Sequence, residues 1–90
     1  MIAYIATEKF NIVRTTFKMD YGVVDRLDIN FKFYPDEALL YIIQNIFGVA
    51  RAHISDKYRI IVFTGDMFNK EEVAQEIAVK INEFLEEDNG

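Results

Sequence analysis

The chain contains no cysteine and only one histidine among its 90 residues. Without a thiol it has no disulfide, no cysteine nucleophile and no thiolate metal ligand, and one histidine cannot build a multi-histidine zinc site. The glycine-rich fingerprint of dinucleotide-binding proteins and the Gly-Lys-Ser/Thr of a P-loop are also missing. We therefore expect neither a metal nor a cofactor, and we expect the protein not to be an enzyme.

Long apolar runs are missing as well. No stretch reaches the roughly 18 apolar residues that a membrane-spanning helix needs, and Met1 is not followed by a basic segment with a cleavage site. The composition, 51% hydrophobic and 28% charged, is that of a folded chain. We expect a cytoplasmic protein without membrane contact, with a single domain over residues 1–90.

The net charge of −5 is unevenly distributed along the chain. Residues 1–34 contain five basic and four acidic residues, whereas residues 35–90 contain five basic and eleven acidic residues. Because the second half should repel a polyanion, nucleic acid is the less favoured partner. Abundant Ile, Phe, Tyr and Asn indicate AT-rich codons, which would fit a low-GC bacterium or one of its phages.

Three strands are predicted in the first 34 residues. Residues 1–6 are almost wholly apolar, and residues 10–18 are rich in β-branched and aromatic side chains. Apolar and polar side chains alternate over residues 23–34, which is typical of a strand with one face on the core. Asp20-Tyr21-Gly22 has the residue types of a turn between the second and third strands.

The longest predicted helix begins at Pro35 and runs to about His53. Pro35 suits the first turn, and Asp36 and Glu37 complement the positive end of the helix. At 100° per residue the apolar side chains cover an arc of roughly 200°, although a helix on one face of a sheet needs only somewhat more than about 100°. We interpret the excess as a surface for a second helix or for another chain. Gly48 interrupts the helix at a cost of about 1 kcal/mol.

A fourth strand and a second helix complete the chain. Residues 58–64 contain a continuous apolar run, which predicts a strand covered on both faces. Asn69 and Glu72 form a capping box for a helix with an apolar arc of roughly 140°. The order β-β-β-α-β-α predicts an α+β fold: a four-stranded mixed sheet in spatial order 3-2-1-4, its last strand parallel to the third, with both helices mainly on one face.

Candidate sites for chemistry are few. His53 fits a general base, but a cation at a helix end is the better interpretation. Thr64-Gly65-Asp66 lies at a strand-to-helix junction, where ligands often bind, although turn and capping duty is favoured. Asp25, Asp28 and Asn30-Phe31-Lys32 resemble part of a PD-(D/E)xK nuclease core, yet Asn30 stands where a carboxylate belongs. A metal-dependent nuclease is therefore the weakest alternative.

A basic patch offers a second alternative. If the second and third strands turn their even-numbered residues to one face, that face carries Arg14, Lys18, Arg26 and Lys32. Nucleic-acid-binding sheets add exposed aromatic side chains for base stacking, and here the even set supplies only Tyr34. Nucleic-acid binding through this face therefore remains the alternative function.

The favoured hypothesis is a small, non-catalytic protein-binding module that self-associates as a homodimer. An inhibitor or regulator of a larger host protein, encoded by a phage or mobile element, fits the same size and acidity. The predicted contact residues come from the flanks of the first helix and from two apolar residues in the loop before the second helix. They are Ala38, Leu40, Ile42, Phe47, Val49, Met67 and Phe68.

Overall fold

A computed structural model describes residues 2–56 and 58–89, which form five strands and two helices. The elements are β1 (Ile2–Ala6), β2 (Phe10–Met19), β3 (Gly22–Phe31), α1 (Glu37–Gln44), β4 (Val49–Asp56), β5 (Arg59–Thr64) and α2 (Lys70–Asn89). The strands pair antiparallel throughout, in the order β1-β2-β3-β5-β4. The α+β class and the two helices are confirmed, whereas the predicted four-stranded mixed sheet is wrong. Met1 of the first predicted strand lies outside the described residues.

The core lies between the sheet and the two helices. Because directly opposed residues share a face of a sheet, the register places one isoleucine from each strand in a single row on this face: Ile5, Ile12, Ile29, Ile60 and Ile54. Leu39 and Ile43 of α1 and Ile77 and Ile81 of α2 are fully buried against this face. Both helices therefore cover one face of the sheet, as the sequence predicts.

The predicted helix from Pro35 to His53 is wrong beyond Gln44. Asp36 caps α1, since its side chain accepts the Leu39 N–H at 3.0 Å. The helix then ends at Asn45, and Gly48 adopts a φ of +101°, a conformation that side-chain-bearing residues rarely adopt. The chain reverses there and continues as a strand. The 200° arc therefore combined residues of a helix with residues of a strand.

The extra strand also changes the topology. The helical connection after β3 leads to β4, which runs in the same direction as β3 because both pair antiparallel with β5. A hairpin then places β5 between them. The expected crossover between parallel strands exists, but its second strand is β4, and the strand predicted at residues 58–64 is antiparallel to β3.

No helix within the described ranges, 2–56 and 58–89, is both long enough and apolar enough to cross a membrane. The second helix is long, at 20 residues, but it is rich in glutamate.

Replacing Gly48 with alanine should destabilise the fold by about 2–4 kcal/mol. A Cβ there would lie 2.9 Å from Cγ2 of Val73 and 3.2 Å from Cδ1 of Phe68, in addition to the cost of the positive φ. Gly22→Ala is the matched control, because Gly22 also has a positive φ but nothing lies within 4 Å of an added Cβ. Its loss should be only about 1 kcal/mol. Urea unfolding measures both, and equal losses would contradict the close packing at Gly48.

Candidate functional site

One exposed apolar surface lies on the helix side of the molecule. Phe47 is 86% exposed, Met67 is 94% exposed and Tyr41 is 67% exposed. The Phe47 ring meets the half-buried Phe68 edge to face, with ring centroids 4.9 Å apart. We call Tyr41, Ile42, Phe47 and Phe68 the helix-side patch; Met67 precedes Phe68 in the chain. Clustered apolar side chains of this kind mark contact surfaces more often than scattered ones do.

Phe47 stands between two hollows. One, of about 620 Å³, lies toward Tyr41 and Ile42 and is bordered by Glu76 and Lys80. The other, of about 250 Å³, lies toward Phe68 and is bordered by Glu72 and Glu76. The patch thus presents a protruding aromatic ring with a hollow on each side.

The structure leaves some of the predicted contact residues exposed and packs others against the core. Phe47 and Met67 are exposed, as is Ala38 on α1, while Ile42 and Phe68 are half-buried beside the hollows. The other two predicted contacts, Leu40 and Val49, pack against the core. Because Val49 begins β4 instead of continuing α1, the predicted flank of Ala38, Ile42 and Val49 does not exist as one helical stripe.

Within residues 2–56 and 58–89, both helices lie on the other side, and the opposite face of the sheet carries no helix. Across all five strands one row of it reads Ala3, Val13, Asp28, Ile61 and His53. Val13, Asp28 and Ile61 are nevertheless only 5–9% exposed. Because no helix covers this row, the larger side chains of the neighbouring rows must shield it.

Aromatic rings and guanidinium groups lie next to each other on this face. The Arg51 guanidinium lies 4.7 Å from the centroid of the Phe63 ring, and the Arg26 guanidinium lies 5.2 Å from that of Phe17. His53 stacks near Phe63 with an interplanar angle of 22° and centroids 6.4 Å apart. We call Phe17, Arg26, Arg51, His53 and Phe63 the sheet platform. It offers flat, partly cationic surfaces to solvent.

Two groups of side-chain hydrogen bonds link neighbouring strands on the rest of this face. Arg26 donates to Asp28 at 2.8 Å, and the Thr15 hydroxyl donates to the same carboxylate at 3.2 Å. Arg59 donates to Asn30 at 3.0 Å, and Asn30 donates to Asn11 at 2.8 Å. These bonds fix the orientation of Arg26 and Arg59.

The predicted basic patch is not assembled. Arg14 lies opposite Leu27 and Lys18 opposite Val23, which puts both on the helix face, whereas Arg26 lies opposite Thr15 on the uncovered face. Lys32 is exposed beyond the end of β3, where its N–H donates to the Lys9 carbonyl. The prediction assumed that the even-numbered residues of both strands share a face. Directly opposed residues share a face, and here even-numbered residues of β2 lie opposite odd-numbered residues of β3, so the assumption was wrong.

Asp25 and Asp28, the carboxylates of the nuclease alternative, lie on opposite faces of β3. Asp25 accepts two hydrogen bonds from Arg14, at 2.9 and 2.7 Å, and one from Thr16 at 3.1 Å. The hydrogen bonds from Arg14 lower the pKa of Asp25 to about 2. Over residues 2–56 and 58–89, no group of three or more acidic or histidine side chains could hold a metal ion.

His53 lies on β4, not at a helix end, so its predicted role there is wrong. Sequence reasoning also missed the platform residues Phe17, Arg51 and Phe63. The signal that could have found them is the alternation of Arg51 and His53 with Ala52 and Ile54, since Ala52 and Ile54 are the residues that pack toward the core.

The Thr64-Gly65-Asp66 junction borders a hollow of about 690 Å³ between the β2–β3 hairpin and the start of α2. The hollow opens because β3 pairs with β5 only over Leu27–Asn30, so the outer half of the hairpin projects past β5. The Thr64 hydroxyl oxygen is buried here without a hydrogen-bond partner in the described part of the chain. The predicted cap of α2 is confirmed, since Asn69 accepts the Glu72 N–H at 3.1 Å.

Comparisons with protein-family models, with curated proteins and with solved structures give no match. The class that the structure defines is a five-stranded antiparallel α+β protein with one covered and one uncovered sheet face.

Lowering the pH should destabilise the fold, because Asp25 becomes protonated and loses its ion pair with Arg14. Because its folded-state pKa is about 2, against an ordinary value near 3.8, its contribution is fully present above about pH 4 and is lost as the pH falls toward 2. Part of the shift is screened by solvent, so we expect a contribution on the order of 1–2 kcal/mol. Urea unfolding between pH 6 and pH 2 should show a shallower acid loss for Asp25→Asn than for the wild type. Equal slopes would mean that the Arg14 pair does not contribute.

Proposed function

We propose that this chain is a non-catalytic protein-binding module that forms a homodimer through the helix-side patch. The observation that carries the proposal is the 86% exposure of Phe47 between two hollows. Buried aromatic side chains dominate the energetics of interfaces, and each buries roughly 150–250 Å². Phe47 and Tyr41 together would account for about half of the roughly 800 Å² per partner in a stable interface.

A second copy of the chain is the partner that this shape favours. A twofold interface brings the same patch of both subunits together, so the surface has to be complementary to itself. A ring beside a hollow meets this requirement, because each Phe47 can enter the hollow next to the other Phe47. At the rim of the larger hollow stand one acid, Glu76, and one base, Lys80. Across a twofold axis each can face its opposite.

Charge sets the conditions for this association. Each chain has a net charge of −5, and α1 and α2 together contain seven glutamates against two lysines. Two helix sides brought together repel each other over distances of about 10 Å at 0.1 M salt. We therefore expect added salt to strengthen the dimer.

Light scattering at micromolar concentration should give a mass near 21 kDa, twice the 10.5 kDa of one chain. Phe47→Asp should reduce this to 10.5 kDa while leaving the far-ultraviolet circular dichroism unchanged, because an exposed ring contributes little to the fold.

Tyr21→Asp is the matched control, since Tyr21 is also an exposed aromatic, at 81%, but lies in the turn between β2 and β3. It should stay dimeric. A wild-type protein that remains monomeric at high salt and high concentration would refute the dimer. If Tyr21→Asp dissociated the dimer to the same extent as Phe47→Asp, the helix-side patch would not be the interface.

A further inference from the structure

We propose that the sheet platform binds single-stranded nucleic acid, with bases stacking on its rings and guanidinium planes and phosphates meeting its arginines. The proposal concerns the face opposite the helix-side patch, so it stands whether or not the chain dimerises. It also uses residues other than the basic set that the sequence suggested, of which only Arg26 lies on this face.

Charge is segregated between the two sides of the molecule. Three of the four arginines, Arg26, Arg51 and Arg59, lie on the uncovered face. The acids on the strands of this face are Asp28, which is paired with Arg26, and Asp56 at its corner, opposite Arg59, while Asp25 and Asp66 border the adjoining hollow. The helices on the other side carry the seven glutamates. A polyanion approaching an overall acidic chain would therefore be directed to the uncovered face.

Stacking surfaces are present on the same face. Single-stranded nucleic acids are bound by flat aromatic or guanidinium surfaces combined with backbone charge, and each stacked base contributes without regard to sequence. Arg51 is exposed and rests on Phe63, with His53 stacked beside the same ring. In the described part of the chain Arg51 has no ion pair, so its charge is available to a phosphate.

The platform spans four adjacent strands, from Phe17 on β2 to Arg51 on β4. At about 4.8 Å between strands, this is roughly 14 Å, enough for two or three stacked bases. The hollow of about 690 Å³ adjoins the platform and shares Phe17, Arg26, Arg51 and Phe63 with it. Asp66 also borders this hollow. Its carboxylate can accept hydrogen bonds from the edge of a base, whereas it would repel a phosphate.

A duplex does not fit this arrangement, because its bases are already paired and stacked. The expected ligand is therefore RNA or DNA with unpaired bases, bound mainly by stacking and by two or three phosphate contacts. For three contacts, the logarithm of the affinity should fall with the logarithm of salt concentration with a slope of about −2.

The test measures fluorescence anisotropy of labelled ten-nucleotide oligo(dT) and oligo(U) against the full chain at low salt. Arg51→Glu should weaken binding at least tenfold, and Phe63→Leu should weaken it about tenfold through lost stacking. Lys9→Glu is the matched control, because it makes the same change in net charge at an exposed residue between β1 and β2, outside both proposed surfaces. It should alter the affinity less than twofold.

Circular dichroism establishes that each variant is folded, and Arg51→Gln replaces Arg51→Glu if the latter is not. Three outcomes would overturn the proposal: no binding of either oligonucleotide at low salt, equal weakening by Lys9→Glu and Arg51→Glu, or equally tight binding of a ten-base-pair duplex. Displacement by polyglutamate of the same charge as efficiently as by unlabelled oligonucleotide would also overturn it, since the face would then be a general anion surface. Because none of these readouts depends on dimerisation, failure here leaves the dimer proposal standing.

Discussion

The chain reversal at Gly48 is the constraint on which the rest of the structure depends. The positive φ of Gly48 ends the path of α1, and its carbonyl accepts the Gly65 N–H at 3.0 Å, which ties the start of β4 to the end of β5. Phe68 and Val73 pack so close to this glycine that a Cβ would not fit without movement. One backbone conformation therefore fixes a strand, a sheet edge and the entry into α2 together.

Both proposed surfaces follow from this reversal. The turn leaves Phe47 outside the helix and exposed next to Phe68, which gives the helix side its protruding ring. It also converts the following residues into an edge strand, which carries Arg51 and His53 across the sheet to Phe63 on the uncovered face. Acidic helices and an arginine-bearing sheet face then lie on opposite sides of one thin core. Dimerisation through the helices would leave the sheet platforms free.

Part of this could be predicted from the sequence. The alternation in β3 and the cap at Asn69 are local signals, and the structure confirms the strand and the cap. The boundary between α1 and β4 could not be predicted, because a glycine within a helix costs only about 1 kcal/mol and the apolar residues after Gly48 fit either period. What decides it is pairing with β5, which follows later in the chain. The sequence allowed Phe47 and Met67 to be predicted as contact residues. It did not allow the sheet platform to be predicted, because Arg51 and His53 lie on β4, which the sequence predicts as part of a helix.

Nuclear Overhauser contacts across residues 44–64 test the chain reversal at Gly48 most directly. The structure predicts antiparallel cross-strand contacts between the backbones of Arg51 and Phe63 and of His53 and Ile61. The amide protons that are hydrogen-bonded between β4 and β5 should exchange slowly with solvent. The structure also predicts that α-helical contacts between residues four apart stop at Asn45. Helical contacts that continue from Gln44 through His53 without cross-strand partners would contradict it, and both proposed surfaces would lose their geometry.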